Sequence, residues 1–309
     1  ADDPVPYVTT ATGIELPNAG SYVDLSFSLF SGDIGTRFAL GPHRYKFQYN
    51  YSNYRENVVI NQYHNYVYNV PVTDWYYGEA SFDYFRGHSL ALMYELKMRE
   101  RDYVMNMLPG SGWKINANIS YEWNHFMDGF AVSEEFSTFG ANLAPNNTLR
   151  ITSQVKKHFT LHRDKKIIGS ISASAGGLSN PEVDNFFHFF GGGIPGIKGY
   201  TFYDSTLTGP YYFIGTSAIR FPLFLERNYS LAQLNFQNLS LGGIFQFGGV
   251  SNERFADFTE NIKLSAGLEC RLQGFSFYSY PTAIAYEYHH PIHDNSQKGK
   301  HYFTLLFDY

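Results

Sequence analysis

From Arg44 to Ser52 the side chains alternate without interruption. Tyr45, Phe47, Tyr49 and Tyr51 fall on one side, and Arg44, Lys46, Gln48 and Asn50 on the other. A repeat of two is the period of a β-strand, and here it gives the ribbon one apolar and one wet face. The pattern returns in Leu90–Arg99, Trp113–Trp123, and a hairpin of 148–161 with 167–175 across His162-Arg163-Asp164-Lys165. Five more runs come at 211–221, 239–247, 262–272, 281–288 and 302–309. No helical period, heptad or run of about 18 apolar residues breaks the series, so the expected class is all-β with no transmembrane helix.

Composition decides what the two faces meet. Aromatics make up 18% of the chain and charged residues 17%, against the ~25% charge usual in soluble domains. Mean hydropathy is nevertheless only −0.29. Many rings, few charges and modest hydropathy describe strands whose lipid-facing and water-facing residues average out, an antiparallel transmembrane β-barrel. A Lys or Arg on the lipid face near mid-bilayer costs about 2–4 kcal/mol. Glu95 and Lys97 should therefore face the lumen, with Leu92, Tyr94 and Leu96 outward. By the same argument Trp113, Ile115, Ile119 and Trp123 point to lipid, with Trp at both interfaces. A soluble barrel would have to hold Phe, Tyr and Leu from a dozen strands inside.

The expected layout is a lead-in segment over residues 1–20, with a short extended piece at 7–10, and a barrel over 21–309 of 12 to 16 strands, even in number. Gly32-Asp33 reads as a turn between two early strands. Residues 53–77 and 126–147 read as long loops, and Gly78–Phe85 as the hairpin partner of Leu90–Arg99 across Arg86-Gly87-His88. The start, Ala1-Asp2-Asp3-Pro4, has neither the basic nor the apolar region of a signal peptide and reads as a processed or cut terminus.

Between the hairpin and the last five strands lies a segment, about 176–210, unlike any other. It contains FFHFFGGGIPGIKGY over 186–200. Glycines at this density allow tight folding and close approach, and Pro195 forbids a regular helix. The spacing Gly191-x-Gly193-x-x-Gly196 matches a dinucleotide fingerprint, but Pro195 occupies the helix start that the fingerprint needs. Gly196 and Lys198 are not adjacent and Gly199, not Ser or Thr, directly follows Lys198, so a phosphate loop is excluded as well. The reading is a long irregular loop, its single cation seeking a fixed partner.

Other chemistry is thin. Cys270 is alone, which rules out disulfides and Cys-based zinc sites. His289-His290-Pro291-Ile292-His293-Asp294 has metal-capable side chains, but Pro291 breaks their geometry and they read as solvated loop residues; no metal or cofactor is expected. His188 reads as a packed loop residue. No GxSxG elbow or nucleophile–base spacing suggests an enzyme. A net charge of −5 without a basic run argues against nucleic acid.

The loop Gly191-Gly192-Gly193 … Ile197-Lys198-Gly199-Tyr200, then Thr216-Ser217-Ala218-Ile219-Arg220-Phe221-Pro222-Leu223, resembles the bacterial surface antigen superfamily of outer-membrane assembly factors and two-partner secretion translocators. The specific likeness covers about 185–309. It implies that the loop of about 176–210 is folded into the lumen and that its cation meets an inner-wall partner. The family's loop arginine is Lys198 here, its strand glutamate is Ala218, and its wall aspartate corresponds to Gln246. The expected contacts are Lys198 with Gln246, or with Glu269, while Arg220 lines the same wall. The resemblance also implies a C-terminal strand read by the barrel assembly machinery, through Phe303, Leu305, Phe307 and Tyr309.

The resemblance further implies an outer-membrane location, a lipid environment, and polypeptide clients or accessory subunits as partners. The leading function is insertion or passage of polypeptides through a lateral seam or plugged pore. The alternatives are a membrane anchor for an upstream soluble domain or partner complex, and a passive diffusion channel.

Overall fold

The structure is a computed structural model that describes residues 7–9, 15–17, 22–67, 70–99, 111–133, 138–183, 185–252, 262–277, 280–292 and 297–307. Two short strands, β1 (Tyr7–Thr9) and β2 (Glu15–Pro17), pair antiparallel in the lead-in. The long strands are β3 (Tyr22–Leu40), β4 (His43–Val67), β5 (Val70–Arg99), β6 (Gly112–Ser133), β7 (Thr138–His162) and β8 (Ile167–Leu178). After the glycine-rich loop, which holds β9 (Phe189–Phe190) paired with β10 (Thr208–Gly209), come β11 (Tyr211–Phe224), β12 (Tyr229–Leu231), β13 (Leu234–Ser251), β14 (Lys263–Ser276), β15 (Tyr280–Ile292) and β16 (Lys300–Phe307). The large antiparallel sheet has twelve strands in the order β16-β15-β14-β13-β11-β8-β7-β6-β5-β4-β3, with β12 paired off this path to β13.

Three expectations are corrected. Gly32-Asp33 does not turn: β3 runs straight through, held where Asn50 Nδ2 donates to Ser31 Oγ at 3.2 Å and to the Gly32 carbonyl at 3.4 Å. Arg86-Gly87-His88 does not turn either. Arg86 folds back on Asp83 at 2.7 Å within β5, and Gly87 is small because a Cβ there would lie 2.3 Å from the Phe85 ring and 2.6 Å from Asn124. Most of 53–77 and 126–147 is strand rather than loop, since β4 continues to Val67, β5 starts at Val70, β6 reaches Ser133 and β7 begins at Thr138. The hairpin expected across 162–165 turns at 163–166, and the five long strands expected after the loop are present as β11 and β13–β16, with the short β12 added.

The path from β3 to β16 has eleven members, so the two edge strands of this meander run in the same direction. The twelfth strand, β12, is a three-residue arm and does not change that parity.

The chain groups into two compact units. The first comprises 1–34, 49–89 and 122–147, and is tied by rings and one charge cluster. Phe85 packs on Tyr54 and Phe126, Phe82 on Phe130, and Asp83 takes both Arg55 at 3.1 Å and Arg86. The second comprises 35–48, 90–121 and 148–309. Its sheet is two-faced in an unusual sense. In β13, Ser240, Gly242, Ile244, Gln246 and Gly248 are buried, while Leu241, Phe245 and Phe247 between them are exposed. The neighbours repeat it: Ser265 and Glu269 are buried in β14 and Ala283, Ala285 and Glu287 in β15, whereas Leu268, Tyr286, Phe303 and Leu305 are exposed. Small and polar groups lie on the covered face and large apolar ones on the open face. That reverses the arrangement of a water-soluble sheet.

Candidate functional site

The loop between β8 and β11 lies over the covered face of β11 and β13–β15. Its core is a tight double-back. Ile197 N–H donates to the Gly191 carbonyl at 2.7 Å, and Gly191 N–H to the Leu207 carbonyl at 2.7 Å. Gly196 has to be glycine, because a Cβ there would lie 2.1 Å from the Gly191 oxygen, backbone against backbone. The fold-back presses Ile197, Tyr200 and Leu207 onto Ile214 of β11 and Val250 of β13, all five buried. Full burial of one such aliphatic side chain is worth about 1.5–3 kcal/mol, which supplies the non-directional part of the docking.

Direction comes from polar contacts. Gln246 of β13 grips the loop backbone from both sides: its Oε1 accepts from Lys198 N–H at 2.9 Å, and its Nε2 donates to the Gly196 carbonyl at 3.3 Å. The same Nε2 reaches Thr216 Oγ1 of β11 at 3.3 Å. An amide satisfies an N–H and a C=O together, whereas an aspartate here would set an acceptor against the Gly196 carbonyl. The residue standing at the wall position is thus matched to main chain, not to a side-chain cation.

The Lys198 amine goes elsewhere. Its Nζ pairs with Glu287 Oε2 of β15, with the two side chains only 18% and 6% exposed. Three neighbours fix this pair. His289 Nε2 donates to the same Glu287 oxygen at 2.8 Å, since a carboxylate can only accept. Tyr302 of β16, directly opposite Glu287 in the ladder, accepts from Gly199 N–H at 2.8 Å through its hydroxyl. Its ring centroid is 5.8 Å from Lys198 Nζ, within cation–π range. Tyr200 completes the seam by donating its hydroxyl to the Leu264 carbonyl of β14 at 3.1 Å.

The expected partnership of Lys198 is therefore corrected in two ways. Gln246 meets its backbone rather than its amine, and Glu269 is engaged by other cations. Arg220 Nε donates to Glu269 Oε2 at 2.5 Å, Arg220 reaches Ser170 Oγ at 3.3 Å, and Arg271 Nη2 pairs with Glu269 Oε1. Arg220 thus finds its acid on β14 rather than within its own strand. The loop's acid, Glu287, and its support Tyr302 are not singled out by the sequence, in which His289 reads only as a metal-capable loop residue. His289 is also no solvated loop residue: β15 continues to Ile292, and the imidazole is wholly buried. Extending the alternation from Ala283 and Ala285 through Glu287 to His289 puts all four on one face, and that was the available signal.

The other expected site residues take simpler places. Gly191, Gly192 and Gly193 line the buried turn of the loop, and Gly199 adopts a positive φ of 101° beside Pro291. His188 is a loop residue whose Nε2 bonds the Pro181 carbonyl at 3.2 Å. Phe303 and Leu305 are exposed on the open face of β16, Phe307 is its last residue, and Tyr309 lies outside the described residues. Among the described residues there is no cluster of metal-ligating side chains. What the arrangement does is hold a loop against a wall. No protein-family model matches the chain, and no curated protein matches it.

Proposed function

We propose that the chain is an outer-membrane β-barrel of the assembly and translocation kind it resembles, with its pore plugged by the 191–200 loop and its substrates unfolded polypeptides. The carrying observation is the inverted sheet: exposed Leu241, Phe245, Leu268, Tyr286 and Phe303 back a covered face that holds every charge of the Lys198, Glu269 and Glu287 cluster. A continuous apolar face of this extent is stable against lipid, and the charges behind it suit a wet interior. The latch supports a plug rather than an open channel, because it is built from a handful of separable contacts. Among the described residues the two edge strands, β3 and β16, each have one partner in the sheet, and an edge row of N–H and C=O groups templates strand addition.

The test is reconstitution into liposomes with an unfolded outer-membrane client. The reading predicts faster appearance of folded, protease-protected client than in empty vesicles, with a further change in rate for Lys198→Ala. Chain that inserts into the bilayer without altering client folding would reduce the role to anchoring. Chain that stays in the aqueous phase without detergent would overturn the membrane reading itself.

A further inference from the structure

Away from the latch, on the side of β4 to β7, the loop residues Phe189, Phe190 and Pro195 border a second feature, a cavity of about 700 Å³. That is the size of a small-molecule site. Its opposite wall carries Arg37, Arg44 and Lys46 against a single carboxylate, Glu95. That carboxylate is already shared: Lys97 lies 3.0 Å from it, Arg44 3.7 Å and Lys114 3.9 Å. Among the described residues Arg37 and Lys46 have no acidic partner, and Lys46 is half-buried. A partly desolvated ammonium without a counter-charge, beside two guanidinium groups, makes a field that one anionic group would neutralise. The amide wall adds a second requirement. Asn116 Nδ2 donates to Gln154 Oε1 at 3.2 Å, and both amides line the cavity.

We propose that this cavity binds a sugar-sized molecule bearing a phosphate or carboxylate. Its anion sits among Arg37, Arg44 and Lys46, and its hydroxyls face the Asn116 and Gln154 amides. The assignment stands on the cavity alone and holds whether or not the chain moves polypeptides. Arg37 and Lys46 are not part of the loop latch, so binding and latching separate experimentally.

Calorimetric titration of the purified full chain in detergent with glucose 6-phosphate, glucuronate and glucose tests it. Both anions should bind at least about tenfold more tightly than glucose, and added salt should narrow the difference. In Arg37→Gln/Lys46→Gln the preference should vanish, while Lys157→Gln, whose amine lies over the Trp113 ring on the open face, should keep it. Equal affinity for all three sugars, no binding by any of them, or a preference that survives the double substitution would overturn the proposal.

Discussion

Glu269 and Glu287 are direct neighbours across the β14–β15 ladder, both buried on the face that carries the loop. Like charges placed so destabilise a sheet unless each is answered. Glu269 has two guanidinium groups from the sheet itself, Arg220 and Arg271. Glu287 has His289 and a cation that belongs to the loop, Lys198. The wall is electrostatically complete only when the loop is docked, and this couples loop to sheet.

Removing Lys198 leaves Glu287 buried beside a second carboxylate. Breaking one side of a buried pair costs about 3–5 kcal/mol. Lys198→Ala should therefore undock the loop, read as protease cleavage within 191–204 that the unaltered chain resists. Lys198→Met/Glu287→Met removes both charges and should recover much of the loss. Equal protease resistance in all three chains would show the pair to be inert.

Gln246 is predicted to tolerate no acid. Gln246→Glu keeps the acceptor for Lys198 N–H but faces the Gly196 carbonyl with oxygen, at about 1–3 kcal/mol. Amide hydrogen exchange over 191–200 should quicken more than in Gln246→Ala. The reverse order would show that the amide's donor has no role.

Two glycines separate steric need from chance. Gly196→Ala drives a methyl into the Gly191 carbonyl and should expose the loop to protease. At Gly243, on the open face of β13, a Cβ meets nothing within 4 Å, so Gly243→Ala should leave folding and loop docking unchanged. Matching effects at both positions would contradict the fold-back geometry.

The alternation of small and large residues made most of the strands legible, because period two is a local property of the chain, although Leu96, which it places outward, is buried. Turns were less so. Gly87 and Gly32 carry the residue types of a turn, yet one makes room for Phe85 and the other receives Asn50. Those reasons lie in side-chain packing and on other strands, and a turn-forming residue type does not report them. The same holds for the latch. Lys198 was visible as a lone cation, but its acid is 89 residues away on a strand chosen by register, and Gln246 revealed its role only beside the backbone it clamps.

The open face offers a further prediction. Leu268 is 70% exposed. In water Leu268→Lys would change stability by no more than about 0.5 kcal/mol, whereas against lipid it costs about 2–4 kcal/mol. Folding into lipid vesicles across a urea series distinguishes the two. A cost near zero would place this face in solvent.

The most direct measurement is single-channel conductance in planar bilayers, comparing the unaltered chain, Lys198→Ala and a deletion of 186–204. The account predicts a nearly silent unaltered chain, intermittent openings in Lys198→Ala, and a large steady conductance in the deletion. A deletion as silent as the unaltered chain, in protein shown to have inserted, would contradict a loop that plugs a pore through Lys198 and Glu287.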